Sequence, residues 1–375
     1  MALPYQRILV TGGAGFIGSF LVDALVRRGY RVTVFDNLEP QVHNGRIPAY
    51  LNPDAEFICG DIRDYDALRR AVKDMDVIFH KAAMVGVGQS MFQVKKYMDV
   101  NVGGTANLLD VLANENHKVR KIIVASSMSI YGEGIYQTNA GTPVDFAERE
   151  ESDLLQKRWE CRDPRSGEEL QPRHTPESKP LNCASIYAIS KKNQEEQVLV
   201  FGRAHQIPAV ALRYFNTYGP RQSLNNPYTG VAAIFMNRVK CDQPLVIFED
   251  GLQQRDFVSV HDVVQANLLA LEQSAADYEY FNVGSGCPIS IKALGEMIMQ
   301  ECGKTVPLDI TGKYRKGDIR NCYADITKIS RTLGYVPRVS LTDGMRELIQ
   351  SSADEVCQEK ADFKIDYLTQ RKLVV

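Results

Sequence analysis

The sequence contains no apolar run long enough to cross a bilayer, no Cys-x-x-Cys pair, no internal repeat and no surplus of charge of one sign. The first absence argues against a membrane-spanning helix. The formal net charge is only −2, from 44 Lys+Arg against 46 Asp+Glu, so nothing favours a nucleic acid or an anionic membrane as partner. Eight cysteines stand singly at 59, 161, 183, 241, 287, 302, 322 and 357. Scattered in this way and with no leader, they read as free thiols of a reducing cytoplasm. Met1 to Gln6 is too short for a signal peptide, and Ile8-Leu9-Val10 already reads as a strand, so a cytoplasmic location is expected.

What is present is an α/β rhythm. Strands are expected at 7–11, 31–35, 57–59, 77–79, 121–125 and 209–215, and helices at 17–29, 65–73 and 187–205. Strand–helix–strand alternation implies parallel pairing through right-handed crossovers. The expected fold is a Rossmann-type doubly wound parallel sheet with a smaller C-terminal substrate-binding lobe. At 375 residues the chain is long enough for both. The division is placed at 220: residues 1–220 bind the dinucleotide, and 221–375 mainly bind substrate, with some segments returning to the first domain. Residues 132–185 interrupt the rhythm with Pro143, Pro164, Pro172, Pro176, Pro180 and the single tryptophan, Trp159. That stretch reads as an insertion, a lid or an oligomer contact. From 351 onward the pattern is polar and helical, without chemical signature.

Between the first strand and first helix lies TGGAGFIG (11–18). Gly12, Gly15 and Gly18 have the spacing of a phosphate-binding turn, and Gly13, Gly15 and Gly18 satisfy the alternative G-x-G-x-x-G. A helix N-terminus behind such a turn offers free N–H groups and partial positive charge to a diphosphate. Alone, the motif is also compatible with a purely structural turn. Asp36, at the end of the second strand, adds a carboxylate suited to ribose hydroxyls and repellent to a 2′-phosphate, so NAD is expected over NADP. Asp61 follows the third strand, where it is placed to accept from an adenine amino group.

Tyr187 and Lys191 in YAISK stand one helical turn apart. They are either a surface pair or a phenol made basic by a neighbouring ammonium and a bound nicotinamide cation. Ser127, in SSMSIYG (126–132) at a strand end, is either a turn former or a hydroxyl aimed into the ligand crevice.

Taken together, these motifs resemble the extended short-chain dehydrogenase/reductases, in their NAD-dependent nucleotide-sugar epimerase/dehydratase branch. The likeness continues through FHKAA (79–83), LRYFNTYGP (212–220), GLQQRDF (251–257) and RKGDIR (315–320). It implies Tyr187 as base, Lys191 as its partner and Ser127 as the hydroxyl that bonds the reacting sugar. It implies a NAD site made of Gly12, Gly15, Phe16, Ile17, Gly18, Asp36, Asn37, Asp61, Ile62, Lys81, Ala82, Ala83, Asn101, Tyr187, Lys191 and Tyr214. Ser127, Asn216, Val231, Phe248, Arg255 and Arg315 are implied as substrate contacts, the arginines because a planar fork suits phosphate. Arg320 and Lys316 are expected to form surface salt bridges.

The resemblance implies a 4-epimerase acting on a UDP- or dTDP-hexose. The 4,6-dehydratases of the family carry an acidic pair where this chain has Met128 and Ser129, and the decarboxylases usually carry Glu at the second place, so both chemistries are disfavoured. The insertion is similar to that of dTDP-L-rhamnose 4-epimerase-like proteins, with UDP-glucose 4-epimerases as the nearest other choice. A net oxidoreductase and a non-catalytic NAD-binding scaffold are the rival readings. No metal is expected, since Cys161, His174 and Cys183 cannot make four local ligands. Lys81 departs from the apolar residue usual in the family. A homodimer through helices near 93–112 and 187–202 is implied.

Overall fold

The computed structural model describes residues 5–223, 230–352, 369–371 and 373–375; most of the C-terminal segment read as helical, 353–368, lies outside them. Seven strands form the main sheet: β1 (Arg7–Thr11), β2 (Arg31–Asp36), β3 (Glu56–Cys59), β4 (Val77–His80), β5 (Lys121–Ser127), β9 (Ala209–Tyr214) and β13 (Tyr280–Val283). Every pairing is parallel, in the order β13-β9-β5-β4-β1-β2-β3. The order reverses between β1 and β4, which opens a crevice at the strands' carboxyl ends. β4 and β5 are wholly buried, and the apolar runs Val77-Ile78-Phe79 and Ile122-Ile123-Val124-Ala125 within them suit a sheet covered on both faces.

One face of the sheet packs against helices Phe16–Arg27 and Val260–Glu272, through Leu21, Leu25, Val263 and Leu271. The other packs against Tyr65–Val72, Gly104–Asn114 and Ile186–His205, through Leu68, Leu108, Val198 and Leu199. β5 runs two residues beyond its expected end, with Ser127 still in register with Tyr214, so Ser127 stands at the sheet's carboxyl edge. β13 and the helix Val260–Glu272 come from the second half of the chain and complete the first core.

The insertion is folded. It forms the antiparallel sheet β6 (Ile135–Gln137), β7 (Pro143–Val144) and β8 (Gln171–Arg173) around Tyr136, Ala147, Cys161 and Leu170. Strands of two and three residues are too short to show alternation in sequence, which is why the stretch reads as irregular. Trp159 and Leu154 pack with Tyr314 of the C-terminal lobe. That lobe holds β10 (Asn216–Tyr218), β12 (Gln254–Ser259), β14 (Pro288–Ser290) and β16 (Asn321–Cys322), and the parallel pair β11 (Leu245–Ile247) and β15 (Leu308–Ile310). Its core of Phe235, Met236, Leu294, Ile298, Met345 and Leu348 is drawn mainly from three helices.

A buried ionic network ties insertion to lobe. Arg149 reaches Glu133 at 3.2 Å and Glu249 at 2.7 Å. Arg320 bonds Glu249 at 3.0 Å, Asp250 at 2.7 Å and also Glu160. Arg320 is 1% exposed, so the surface bridge expected of it is instead a core bridge. Lys316 does form a surface pair, with Glu151. Cys59, Cys161, Cys183, Cys287, Cys302 and Cys322 are free thiols, but Cys241 is disulfide-bonded, a pairing that sequence spacing does not reveal.

Candidate active site

The crevice at the strand reversal deepens into a cavity of about 490 Å³. Its floor is the glycine turn. Gly12 has φ +69°, and a Cβ there would meet Ala82 N and Cα and Lys81 C at 2.7–2.9 Å. A Cβ on Gly18 would lie 2.2 Å from Gly12 O. Around Gly15 the space is open apart from Gly12 O at 3.3 Å. The first and third glycines therefore permit close packing, and the middle one leaves room above the N-terminus of helix Phe16–Arg27 for a phosphate. Asp36 supports the turn: its Oδ2 accepts from Ala14 N at 3.1 Å and its Oδ1 from Leu38 N at 2.9 Å.

Phe16, Ile17, Asn37, Asp61, Ile62, Lys81, Ala82, Ala83 and Tyr214 line the same cavity. The Asp61 carboxylate is largely committed, to Arg63 through two nitrogens at 2.9 and 2.7 Å and to Asn37 at 2.9 Å. These bonds outweigh burial and lower its pKa to about 2. Lys81 reaches Tyr214 Oη at 2.9 Å. Burial, reinforced by Lys191, pushes its ammonium well below the usual lysine range.

The reacting end lies opposite. Ser185 caps helix Ile186–His205 by accepting from Ala188 N at 3.1 Å, which aims Tyr187 and Lys191 of its first turns into the cavity. Ser127 Oγ accepts from Ser129 N at 3.2 Å and Ser129 Oγ at 2.9 Å, so its own proton is available to donate. The neighbouring Lys191 does not by itself lower the Tyr187 pKa. Burial pushes the phenol up to about 12, and only the hydrogen bond from Ser127 pulls it down. Burial also brings Lys191 down to about 7, so desolvation rather than the pair's mutual attraction sets both groups.

Asn101 does not line the cavity. It sits in a π-helical turn, Met98–Gly103, bonded to Met84 N at 2.7 Å, Met84 O at 3.0 Å and Ser190 Oγ at 2.9 Å. Its amide is used up in holding the wall behind the cavity. Of the expected substrate contacts, Ser127 and Asn216 line the cavity, whereas Val231, Phe248, Arg255 and Arg315 do not. The last three gather beyond it: the Arg315 guanidinium lies 4.9 Å from the Phe248 ring centre, and both arginines bond Asp318.

Sequence reading missed Gln41, His43 and Gln222, which no motif marks, and Phe215, which stands within LRYFNTYGP beside the assigned Tyr214 and Asn216; all four also line the cavity. The fit to a dinucleotide rests on more than the glycines. Ser126 Oγ, Asn216 Oδ1 and Gln222 Oε1 are buried at the cavity without a hydrogen-bond partner among the described residues. Three such acceptors in one cavity are the pattern of a polar ligand site. The residues present therefore fit NAD at the glycine turn and a polar substrate at the Asn216 end.

The sequence profile of the NAD dependent epimerase/dehydratase family matches residues 8–155 and 164–284. A dTDP-L-rhamnose 4-epimerase of Burkholderia thailandensis is 34% identical over 354 residues, covering 94% of this chain and 96% of that one. Among solved structures, UDP-glucose 4-epimerase of Thermotoga maritima with UDP-glucose aligns at a TM-score of 0.75 with 31% identity, covering 93% of this chain and 99% of the other. UDP-glucuronic acid 4-epimerase of Bacillus cereus, in complex with UDP-glucuronic acid and NAD, aligns at 0.75 with 28% identity, covering 94% and 100%.

Proposed function

The chain belongs to the NAD-dependent epimerase/dehydratase family, and from that membership we propose that it is a nucleotide-sugar 4-epimerase acting on a UDP- or dTDP-hexose. The observation that carries this reading is the convergence of Ser127, Tyr187 and Lys191 on the cavity floored by the glycine turn, with Met128 and Ser129 beside them in place of an acid–base pair for water loss. The names of its relatives, a dTDP-L-rhamnose 4-epimerase and a UDP-glucose 4-epimerase, support the same class.

When bound, NAD supplies a hydride acceptor, a hydride donor and, in its oxidised ring, a positive charge that favours a phenolate. Gly12, Gly15, Phe16, Ile17 and Gly18 would hold its diphosphate and Asp36 its adenosine ribose. Tyr187 takes the proton of the sugar C4 hydroxyl and later returns it to the same oxygen. Ser127 donates to that oxygen and keeps it oriented. Lys191 stabilises the phenolate. Between the two transfers the 4-keto sugar turns over in the cavity, while the Asn216 amide and the Arg255–Arg315 cluster retain the nucleotide diphosphate. Residues from 221 onward are assigned mainly to the sugar nucleotide.

A homodimer is part of the proposal. Val94, Ile189 and Val200, at 43%, 43% and 64% exposure, leave apolar side chains uncovered on the elements the family resemblance assigns to the interface. No helix among the described residues is long and apolar enough to cross a membrane, which accords with a cytoplasmic enzyme.

The test is to incubate the purified protein with UDP-, dTDP-, GDP- and CDP-hexoses and to separate the products. A C4 epimer formed without growth of the NADH absorbance band is expected. Stoichiometric NADH with no epimer would establish the net oxidoreductase instead.

A further inference from the structure

Lys191 brings an ammonium to the cavity with no carboxylate among the described residues to hold it. Its Nζ donates to Ala125 O at 2.9 Å and to Gln194 Oε1 at 2.8 Å. One of its three N–H groups is thereby left for the cavity that Tyr187 also lines. The polarity of the Gln194 amide is forced by its neighbours. Thr105 donates its hydroxyl proton to Asn101 O at 2.6 Å, so its oxygen can only accept. Gln194 Nε2 stands 2.9 Å from that oxygen and is the donor, which leaves Oε1 for Lys191. The same logic fixes His80, whose Nε2 donates to Thr105 Oγ1 at 2.9 Å and whose Nδ1 accepts from Thr11 Oγ1 at 2.8 Å. Burial, then Lys191 and Lys81, lower the His80 pKa to about 3, so the ring is neutral and this tautomer persists. Gln194 is 1% exposed and touches neither cavity nor solvent.

We propose that Gln194 is a positioning residue for the reaction: its carbonyl oxygen fixes the Lys191 ammonium toward Tyr187 while leaving the charge uncancelled. The proposal rests on the reading of Tyr187 as base and Lys191 as its partner. A neutral acceptor satisfies an N–H without opposing the field that stabilises a phenolate. A carboxylate at 194 forms a buried ion pair and holds the proton on Lys191. A thioether of similar length leaves the N–H unsatisfied and favours its loss. The other groups facing Lys191 are Tyr187 and Ser190 on its own helix, His80 and Lys81 at the end of β4, and Ala125 and Ser127 on β5. Of these Lys81 is the one other amine, and burial together with Lys191 lowers its pKa well below the usual lysine range.

The experiment compares Gln194→Glu and Gln194→Met, with thermal melting to establish that each folds. The alkaline limb of kcat/KM is expected to rise by about one pH unit in the first and to fall by about one in the second. kcat drops by about tenfold in both, with KM little changed. A merely structural residue would not move the limb in opposite directions. The Lys191 Nζ resonance, assigned by its loss in Lys191→Met, is titrated by nitrogen-15 NMR in the protein without substrate, and its midpoint moves in the same opposite senses. That titration is readable even if no nucleotide sugar is epimerised, an outcome that would remove the proposed function and leave the positioning role standing. An unmoved Nζ midpoint, or equal shifts in both variants, overturns the proposal. If Gln194→Met does not fold, the upward shift in Gln194→Glu alone decides.

Discussion

Arg315 holds Asp318 with two nitrogens, Nε at 2.9 Å and Nη2 at 2.6 Å, both on the same carboxylate oxygen. The other oxygen takes Arg255 Nη2 at 3.3 Å. One carboxylate thus joins the two guanidinium groups assigned to the substrate diphosphate. Asp318→Asn is expected to raise KM for the nucleotide sugar by about tenfold with kcat nearly unchanged, because it loosens binding shared by ground and transition states. Steady-state kinetics check this. Acid denaturation supplies a second readout. Burial alone would raise the Asp318 pKa, but Arg315, Arg255 and Arg149 outweigh it and lower it to about 2 from 3.8. A lowered carboxyl pKa contributes stability that is complete above the unfolded value and is lost as pH falls through the folded one. The wild-type protein should lose stability between about pH 4 and 2 more steeply than Asp318→Asn.

Tyr187→Phe keeps the ring and its edge contact with Tyr97, 6.3 Å between centres, and deletes only the hydroxyl. Turnover should fall by at least about a thousandfold, in the range of a lost general base, while thermal stability and NAD retained on purification stay close to wild type. Unchanged turnover would show that another group moves the proton.

The core and the glycine-turn end of the candidate site were readable in the sequence because local rules govern them. Buried parallel strands need apolar centres, as Ile8-Leu9-Val10 of β1, Val77-Ile78-Phe79 of β4 and Ile122-Ile123-Val124-Ala125 of β5 provide. Gly12 must adopt positive φ, and Gly18 must let Gly12 O approach, so neither admits a side chain. What depends on distant partners left no such trace. Gln194 is an unremarkable helix residue until Thr105, 89 positions away, fixes its amide. Asn101 is implied as a cofactor contact by the family resemblance, yet Met84 and Ser190 occupy its side-chain amide. The Tyr187–Lys191 spacing correctly indicates a shared face, but it cannot show that desolvation outweighs the ammonium at the phenol.

Asp36 braces the glycine turn and is proposed to bind the adenosine ribose, and its replacement tests the second role. Its carboxylate braces the glycine turn through Ala14 N and Leu38 N and stands in the cavity where a ribose would lie. Asp36→Ala removes the charge that repels a 2′-phosphate as well as the brace. NAD affinity should fall by about ten- to a hundredfold, the loss of one or two hydrogen bonds to a charged group, and NADP affinity should fall less or rise. Isothermal titration with both dinucleotides gives the ratio, and an unchanged ratio would mean that Asp36 acts only on the turn.

Arg320 offers the sharpest stability test, because it is the shared cation of Glu249, Asp250 and Glu160. Arg320→Met fits the hydrocarbon but leaves those carboxylates short of a counter-charge. Removing one partner of a buried ionic group costs about 3–5 kcal/mol, seen as a lower denaturant midpoint at neutral pH. The sign of the pH dependence follows from Glu249. Burial raises its pKa against the pull of Arg149 and Arg320, and loss of Arg320 raises it further. A carboxyl whose folded pKa exceeds its unfolded one takes up a proton on folding, so its penalty shrinks as pH falls. The deficit of Arg320→Met should therefore be smaller at pH 5 than at pH 8. Lys316→Ala, which breaks only the exposed pair with Glu151, should leave the midpoint where it was at both. An Arg320→Met deficit equal at the two pH values would place the loss in packing rather than in the stranded carboxylates.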